Sequence, residues 1–93
     1  MRAMLSAWKK RRERSVQSAV LAAMWSHGLS RVDVKRIATS SRSGPAAVRR
    51  ALRVLEAAGL VTEERRTGLW ALSTEGQRVA GRRLQVRQAG NHR

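Results

Sequence analysis

Arg49, Arg50 and Arg53 crowd one short run, PAAVRRALRVLEAAG, and Arg65 and Arg66 stand side by side in VTEERRTGLWALS. A guanidinium presents a planar, two-pronged set of donors that fits phosphate oxygens and the O6/N7 edge of guanine, which a lysine ammonium cannot match. No acid lies between Val34 and Leu55, so nothing nearby in sequence neutralises the first group. The chain as a whole carries 20 Lys and Arg against 6 acids, a formal charge of +14; only Lys9, Lys10 and Lys35 are lysines. An Arg-rich codon usage could raise the arginine count, but acids could then have balanced it. The balance therefore points to a polyanionic partner, with nucleic acid ahead of membrane.

Other chemistry is poorly represented. His27 and His92 lack a nearby carboxylate or thiolate, and the chain has no Cys, so neither a metal site nor a disulfide is expected. The six acids form no pair suited to general acid and base, and no nucleophile–base motif or phosphate-cradling glycine loop occurs. An enzyme is not expected, nor is a cofactor. No apolar run approaches the ~20 residues of a membrane span. The absence of cysteine suits a reducing cytoplasm, and nucleoid association follows from the expected partner.

The elements that must position these arginines can be read from spacing and punctuation. Residues 1–14 place Met1, Met4, Leu5 and Trp8 at helical intervals ahead of KKRRER, a short amphipathic helix with a basic end. A second helix follows from Ser15, with Val16, Val20, Ala23, Met24 and Trp25 on its apolar face and Gly28 closing it. RVD (31–33) is long enough for one short strand, and Asp33 can cap the helix VKRIATSS, with Val34, Ile37 and Ala38 inward. SRSG (41–44) reads as a turn, with Ser43 or Gly44 capping the helix that follows and Pro45 in its first turn. That helix, residues 45–58, has Val48, Ala51, Leu52, Leu55 and Ala58 as its core stripe, leaving Arg49, Arg50 and Arg53 outside it.

Residues 60–73 then read as a β-hairpin around a loop at 66–68, in which Gly68 supplies a positive φ. Trp70 and Leu72 share one strand face and should pack beneath it. TEGQ (74–77) has the form of a capping box opening a last helix to about Gln88. Two helices joined by a short turn, the second carrying arginines on its open face, are the parts of a helix-turn-helix.

The run IATSSRSGPAAVRRALRVLEAAGLVTEERRTGLWALSTEGQRVA (37–80) resembles the winged helix-turn-helix of bacterial regulators, of the MarR-like and PadR-like kind. The resemblance extends over roughly 15–80. It implies a mainly α fold with a small β-sheet (α+β): a three-helix core, a hairpin wing and flanking terminal helices. The winged domain would span 15–73, between an N-terminal helix (1–14) and a C-terminal helix with a basic tail (74–93). With so little chain outside the winged domain, a small-molecule effector pocket is not expected, and the chain is closer to minimal phage and plasmid forms.

The resemblance implies double-stranded DNA as the partner and regulation of transcription as the function. A plasmid or phage role in partition, replication control or excision is the alternative, and RNA binding a third. The helix at 45–58 would read bases through Arg49, Arg50 and Arg53, with Ala46 and Ala47 allowing close approach to thymine methyls. Arg42, Ser43, Lys35 and Arg36 around the turn would hold phosphates, and Arg65 and Arg66 would place the wing on the backbone or in the minor groove. A homodimer is expected through Met4, Leu5 and Trp8 at one end and Val79, Ala80, Leu84 and Val86 at the other, since a chain this short buries only about 60–65% of its surface alone.

Overall fold

The computed structural model describes the backbone of residues 2–28 and 30–91 and the side chains of residues 11–28 and 30–83. Its elements run α1 (Arg2–Ser26), α2 (Val34–Ser41), α3 (Pro45–Ala57), β1 (Val61–Glu64), β2 (Leu69–Leu72) and α4 (Thr74–Asn91). Helices α1, α2 and α3 pack on one another, the hairpin closes beside α3, and α4 returns across α1 and β2. This is the α+β winged helix-turn-helix arrangement expected of the sequence.

The first departure is at the N-terminus. Instead of two helices meeting near residue 14, α1 is one 25-residue helix. The sequence from Arg2 to Ser26 holds no Gly or Pro, and a run of Arg and Lys solvates a helix face without breaking the backbone ladder. Gly28, at φ +69°, stands just past its end, where the His27 and Gly28 amides donate to Met24 and Trp25 carbonyls.

Local chemistry sets the remaining boundaries. The Asp33 carboxylate accepts from the Arg36 amide at 2.8 Å and starts α2. That helix closes with the Arg42 amide on Thr39 O and the Ser43 amide on Ala38 O, which places Arg42 at φ 55°. Position 42 is thus left-handed without being glycine, a conformation costing an L-residue roughly 1–2 kcal/mol. Gly44 is the N-cap of α3 and Pro45 opens it. Ser43 does not cap: its hydroxyl donates back to Ser41 O at 3.3 Å. At the far end Gly59, at φ +79°, donates to Glu56 O and Leu60 to Leu55 O, the paired closure that turns the chain sharply into β1.

In the hairpin Val61 faces Leu72 and Glu63 faces Trp70. Because Glu64 pairs with Leu69, the turn spans 65–68, one residue longer than expected, and the Gly68 amide folds back onto Glu64 O at 2.8 Å. The RVD segment contributes one bridge, Val32 to Trp70, with bonds of 2.8 and 2.7 Å. The cap of α4 lies one residue earlier than TEGQ suggests. The Ser73 hydroxyl accepts from the Gly76 amide at 3.0 Å and donates to Gly59 O at 2.6 Å. One serine therefore fastens the start of α4 to the end of α3.

The core draws Val20 and Met24 from α1, Ile37 from α2, Val48 and Leu52 from α3, and Val61 and Trp70 from the hairpin. Trp70 is 3% exposed, as expected of a wing-packing residue, whereas Trp25 is 41% exposed and so is not core. Leu21 fills the inner position on that side of α1, and the Trp25 ring lies instead over Gly81 of α4, where an added Cβ would come within 3.0 Å of it. Val79 packs against the core and Ala80 is buried, so the first turns of α4 belong to the winged body and not to a separate segment beginning at 74.

Candidate nucleic-acid interface

Helix α3 buries Val48, Ala51, Leu52 and Leu55, a spacing that turns positions 46, 49, 50 and 53 outward. Arg49 and Arg50 are exposed, and neither forms an ion pair among the described residues. Ala46 is exposed and Ala47 half-buried at the start of the helix. Arg53 is engaged within the chain. Its Nη1 bonds Glu56 at 3.1 Å and Glu63 at 3.0 Å, and the guanidinium lies 5.2 Å from the centre of the Trp70 ring. The hydrogen bonds to Glu56 and then Glu63 raise its pKa above the usual guanidinium value. Arg53 thus joins α3 to β1 and stacks on the aromatic under the wing, a role that one-dimensional spacing does not reveal.

Lys35 and Arg36 are exposed at the start of α2, and Arg42 is exposed in the turn before α3. Lys35 and Arg36 therefore stand at the opposite end of α2 from Arg42, which adjoins the N-terminus of α3. Ser43 is half-buried with its hydroxyl turned to Ser41 O. Arg65 and Arg66 are exposed at the hairpin tip, without an acid partner among the described residues. The acids preceding them are occupied: Glu63 by Arg53, and Glu64 by Arg31, which sequence reasoning passed over because the two are distant along the chain. Glu75 pairs with Arg78 at 3.6 Å, and Asp33 caps α2.

The acids of the wing and of α3 are therefore tied to arginines within the fold, while Arg49, Arg50, Arg65 and Arg66 face solvent. Such an arrangement concentrates positive potential on the exposed side of α3 and on the hairpin tip. Elsewhere, His27 Nε2 lies 3.0 Å from the Ser40 hydroxyl, which ties the end of α1 to α2. Of the residues expected at a dimer seam, Met4, Leu5, Trp8, Leu84 and Val86 lie outside the described side chains, and Val79 packs inward.

No protein-family model and no curated protein matches the chain. Two solved structures share its fold. One is a Pseudomonas aeruginosa protein provisionally assigned as a transcriptional regulator, with a TM-score of 0.57 and 24% identity over 98% of this chain and 74% of that one. The other is an O-methyltransferase from neocarzinostatin biosynthesis, solved with S-adenosyl-L-homocysteine, with a TM-score of 0.55 and 24% identity. It is matched over 70% of this chain but only 22% of its own, so the common part is a small fraction of that enzyme.

Proposed function

We propose that the chain is a sequence-specific, double-stranded DNA-binding regulator of transcription. Helix α3 enters the major groove, and the hairpin lies on the backbone or in the minor groove. The observation that carries this reading is the contrast among the arginines: Arg53 is spent on Glu56 and Glu63, whereas Arg49 and Arg50 remain exposed beside it. An arginine on an open helix face is the side chain that most often reads guanine, and the small Ala46 and Ala47 leave the end of the helix free to sit deep. Lys35 and Arg36 at the start of α2, and Arg42 in the turn before α3, hold phosphates.

The likeness to the P. aeruginosa protein supports this reading at the level of fold. On the same reading the protein is not an enzyme, acts in the cytoplasm on the nucleoid, needs no effector, and works as a homodimer. The test is selection of bound duplexes from a random pool, followed by binding to the selected site, a scrambled duplex and structured RNA. Enrichment of one motif, bound far more tightly than the scramble or the RNA, is the expected result. Failure to enrich any motif, or preference for the RNA, would overturn it.

A further inference from the structure

Because α1 is continuous, its N-terminal half does not stop at the edge of the core. Each residue advances the helix by ~1.5 Å, so the turn holding Arg12 and Glu13 projects just beyond Val16, the partly buried residue nearest that end among the described side chains. Between this turn and α3 lies an open groove of about 670 Å³. Its floor is apolar: Val16 from α1, and Ala47, Ala51 and Val54 from α3. Val54 is 50% exposed, an unusual state for valine on a helix whose other large aliphatics are buried. The rim carries Arg12 on the α1 side and Arg49 and Arg50 on the α3 side, with Arg53 beside them but engaged by Glu56 and Glu63; among the described lining residues Glu13 is the acid and Gln17 the neutral polar side chain.

We infer that this groove seats one sugar–phosphate strand of the bound duplex, with Arg12 contacting phosphate from the wall opposite Arg49 and Arg50. The inference rests on the DNA-binding reading above and extends it to the α1-facing flank of α3 and to α1 itself. A helix lying in the major groove is flanked by two backbones. On α3, Arg53 reaches across to Glu63 of β1, so that flank faces the wing. Ala47, Ala51 and Val54, at spacings of four and three, form the flank facing α1. A backbone strand presents apolar deoxyribose edges between anionic phosphates, and the groove presents the complement: an apolar floor between cationic rims. Phosphate contacts of this kind position a protein on its site without reading sequence.

The test compares the salt dependence of binding to one selected duplex for the full chain and three variants: Arg12→Ala, Val54→Glu and Arg14→Ala. Arg14 is exposed and lies two residues further along α1, on a different face from Arg12. Arg12→Ala should flatten the log–log salt slope by about 0.9, as expected when one phosphate is no longer neutralised, without changing the preferred sequence. Val54→Glu puts a carboxylate on the groove floor and should weaken binding roughly fivefold, the cost of two like charges meeting in water. Arg14→Ala should retain the wild-type slope. Circular dichroism checks that each variant folds, and Arg12→Glu replaces Val54→Glu should the latter unfold.

Wild-type slope in Arg12→Ala, together with wild-type affinity in the folded acidic variant, overturns the groove inference while the α3 reading stands. So does an equal drop in slope in Arg14→Ala, which would mark a general charge effect. Self-association of the wild type that Val54→Glu abolishes without DNA would mark the groove as an interface between copies, and overturns it too. Failure of the wild type to bind any duplex is distinct from these, because it removes the parent reading.

Discussion

Arg49, Arg50 and Arg53 are near neighbours of one residue type, yet their surroundings assign them different work. Arg49→Ala or Arg50→Ala is expected to reduce discrimination between cognate and scrambled duplexes by about 1–3 kcal/mol for each base the arginine reads. The melting temperature should barely move, because substitutions of exposed side chains that have no structural partner usually fall within about 0.5 kcal/mol. Arg53→Ala should do the reverse: it removes the link to Glu63 and the stack on Trp70, lowering the melting point and loosening the hairpin in amide exchange. Equal effects of all three substitutions on specificity would contradict this division. Arg42 offers a second contrast. Its φ of 55° is one that glycine adopts freely, so Arg42→Gly recovers the ~1–2 kcal/mol of left-handed strain. Against that stands the roughly 0.5–1 kcal/mol of extra chain entropy that glycine loses on folding. Thermal unfolding should show a protein equally stable or slightly more so, while binding to DNA weakens through the removal of a cation.

At the scale of elements, the hairpin and α4 are held in place by one joint at residues 59, 60, 73 and 76. The Ser73 hydroxyl serves both the Gly59 carbonyl and the Gly76 amide, and the Ser73 amide donates to Leu60 O at 3.0 Å. Ser73→Ala should therefore cost about 0.5–2 kcal/mol, the range for removing an N-cap. Gly76 sits so close to this joint that an added Cβ would run into the Leu60 carbonyl oxygen. Backbone cannot step aside as a flexible side chain can, so Gly76→Ala should destabilise by at least the ~1–3 kcal/mol typical of overpacking. Denaturant titration measures both, and a neutral Gly76→Ala would mean that α4 docks differently. The wing itself has its own measurement. Replacing Arg65 and Arg66 with alanine should flatten the salt slope by about 0.9 for each phosphate they neutralise, and an unchanged slope would take the hairpin out of the interface.

At the scale of the whole molecule, the proposed function has two copies of the chain meeting one duplex. Val79 and Ala80 are spent on the chain's own core, which narrows the surface available to a seam along α4. A two-fold dimer would set two copies of α3 about 34 Å apart, one turn of duplex, and favour inverted repeats. Mass measurement with and without duplex should give two copies on an inverted repeat. A 1:1 complex on every duplex, inverted repeats included, would rule out the dimer and leave the winged fold intact.

What could be read directly from the sequence follows from rules acting over a few residues. Asp33 starts α2, Pro45 stands at the head of α3, Gly59 ends that helix and Gly68 lies in the hairpin turn, because capping and left-handed backbone depend on immediate neighbours. The core stripe of α3 was legible as far as Leu55 for the same reason, helical periodicity being a local property; Ala58, counted in that stripe, is exposed because the helix ends at Ala57 and Ala58 caps it. The one-residue shifts at Ser73 and in the 65–68 turn arise where two local solutions are close in energy and the packing of α4 and β2 chooses between them. Only the assembled fold decided that Arg53 belongs to Glu63 and Arg31 to Glu64, that Trp25 lies over Gly81 with much of its surface exposed, and that Val79 turns inward. It also set the groove between α1 and α3. Each of these depends on where two elements distant in sequence come to rest, a placement fixed by burial of the shared core and not by the spacing of residues along either element.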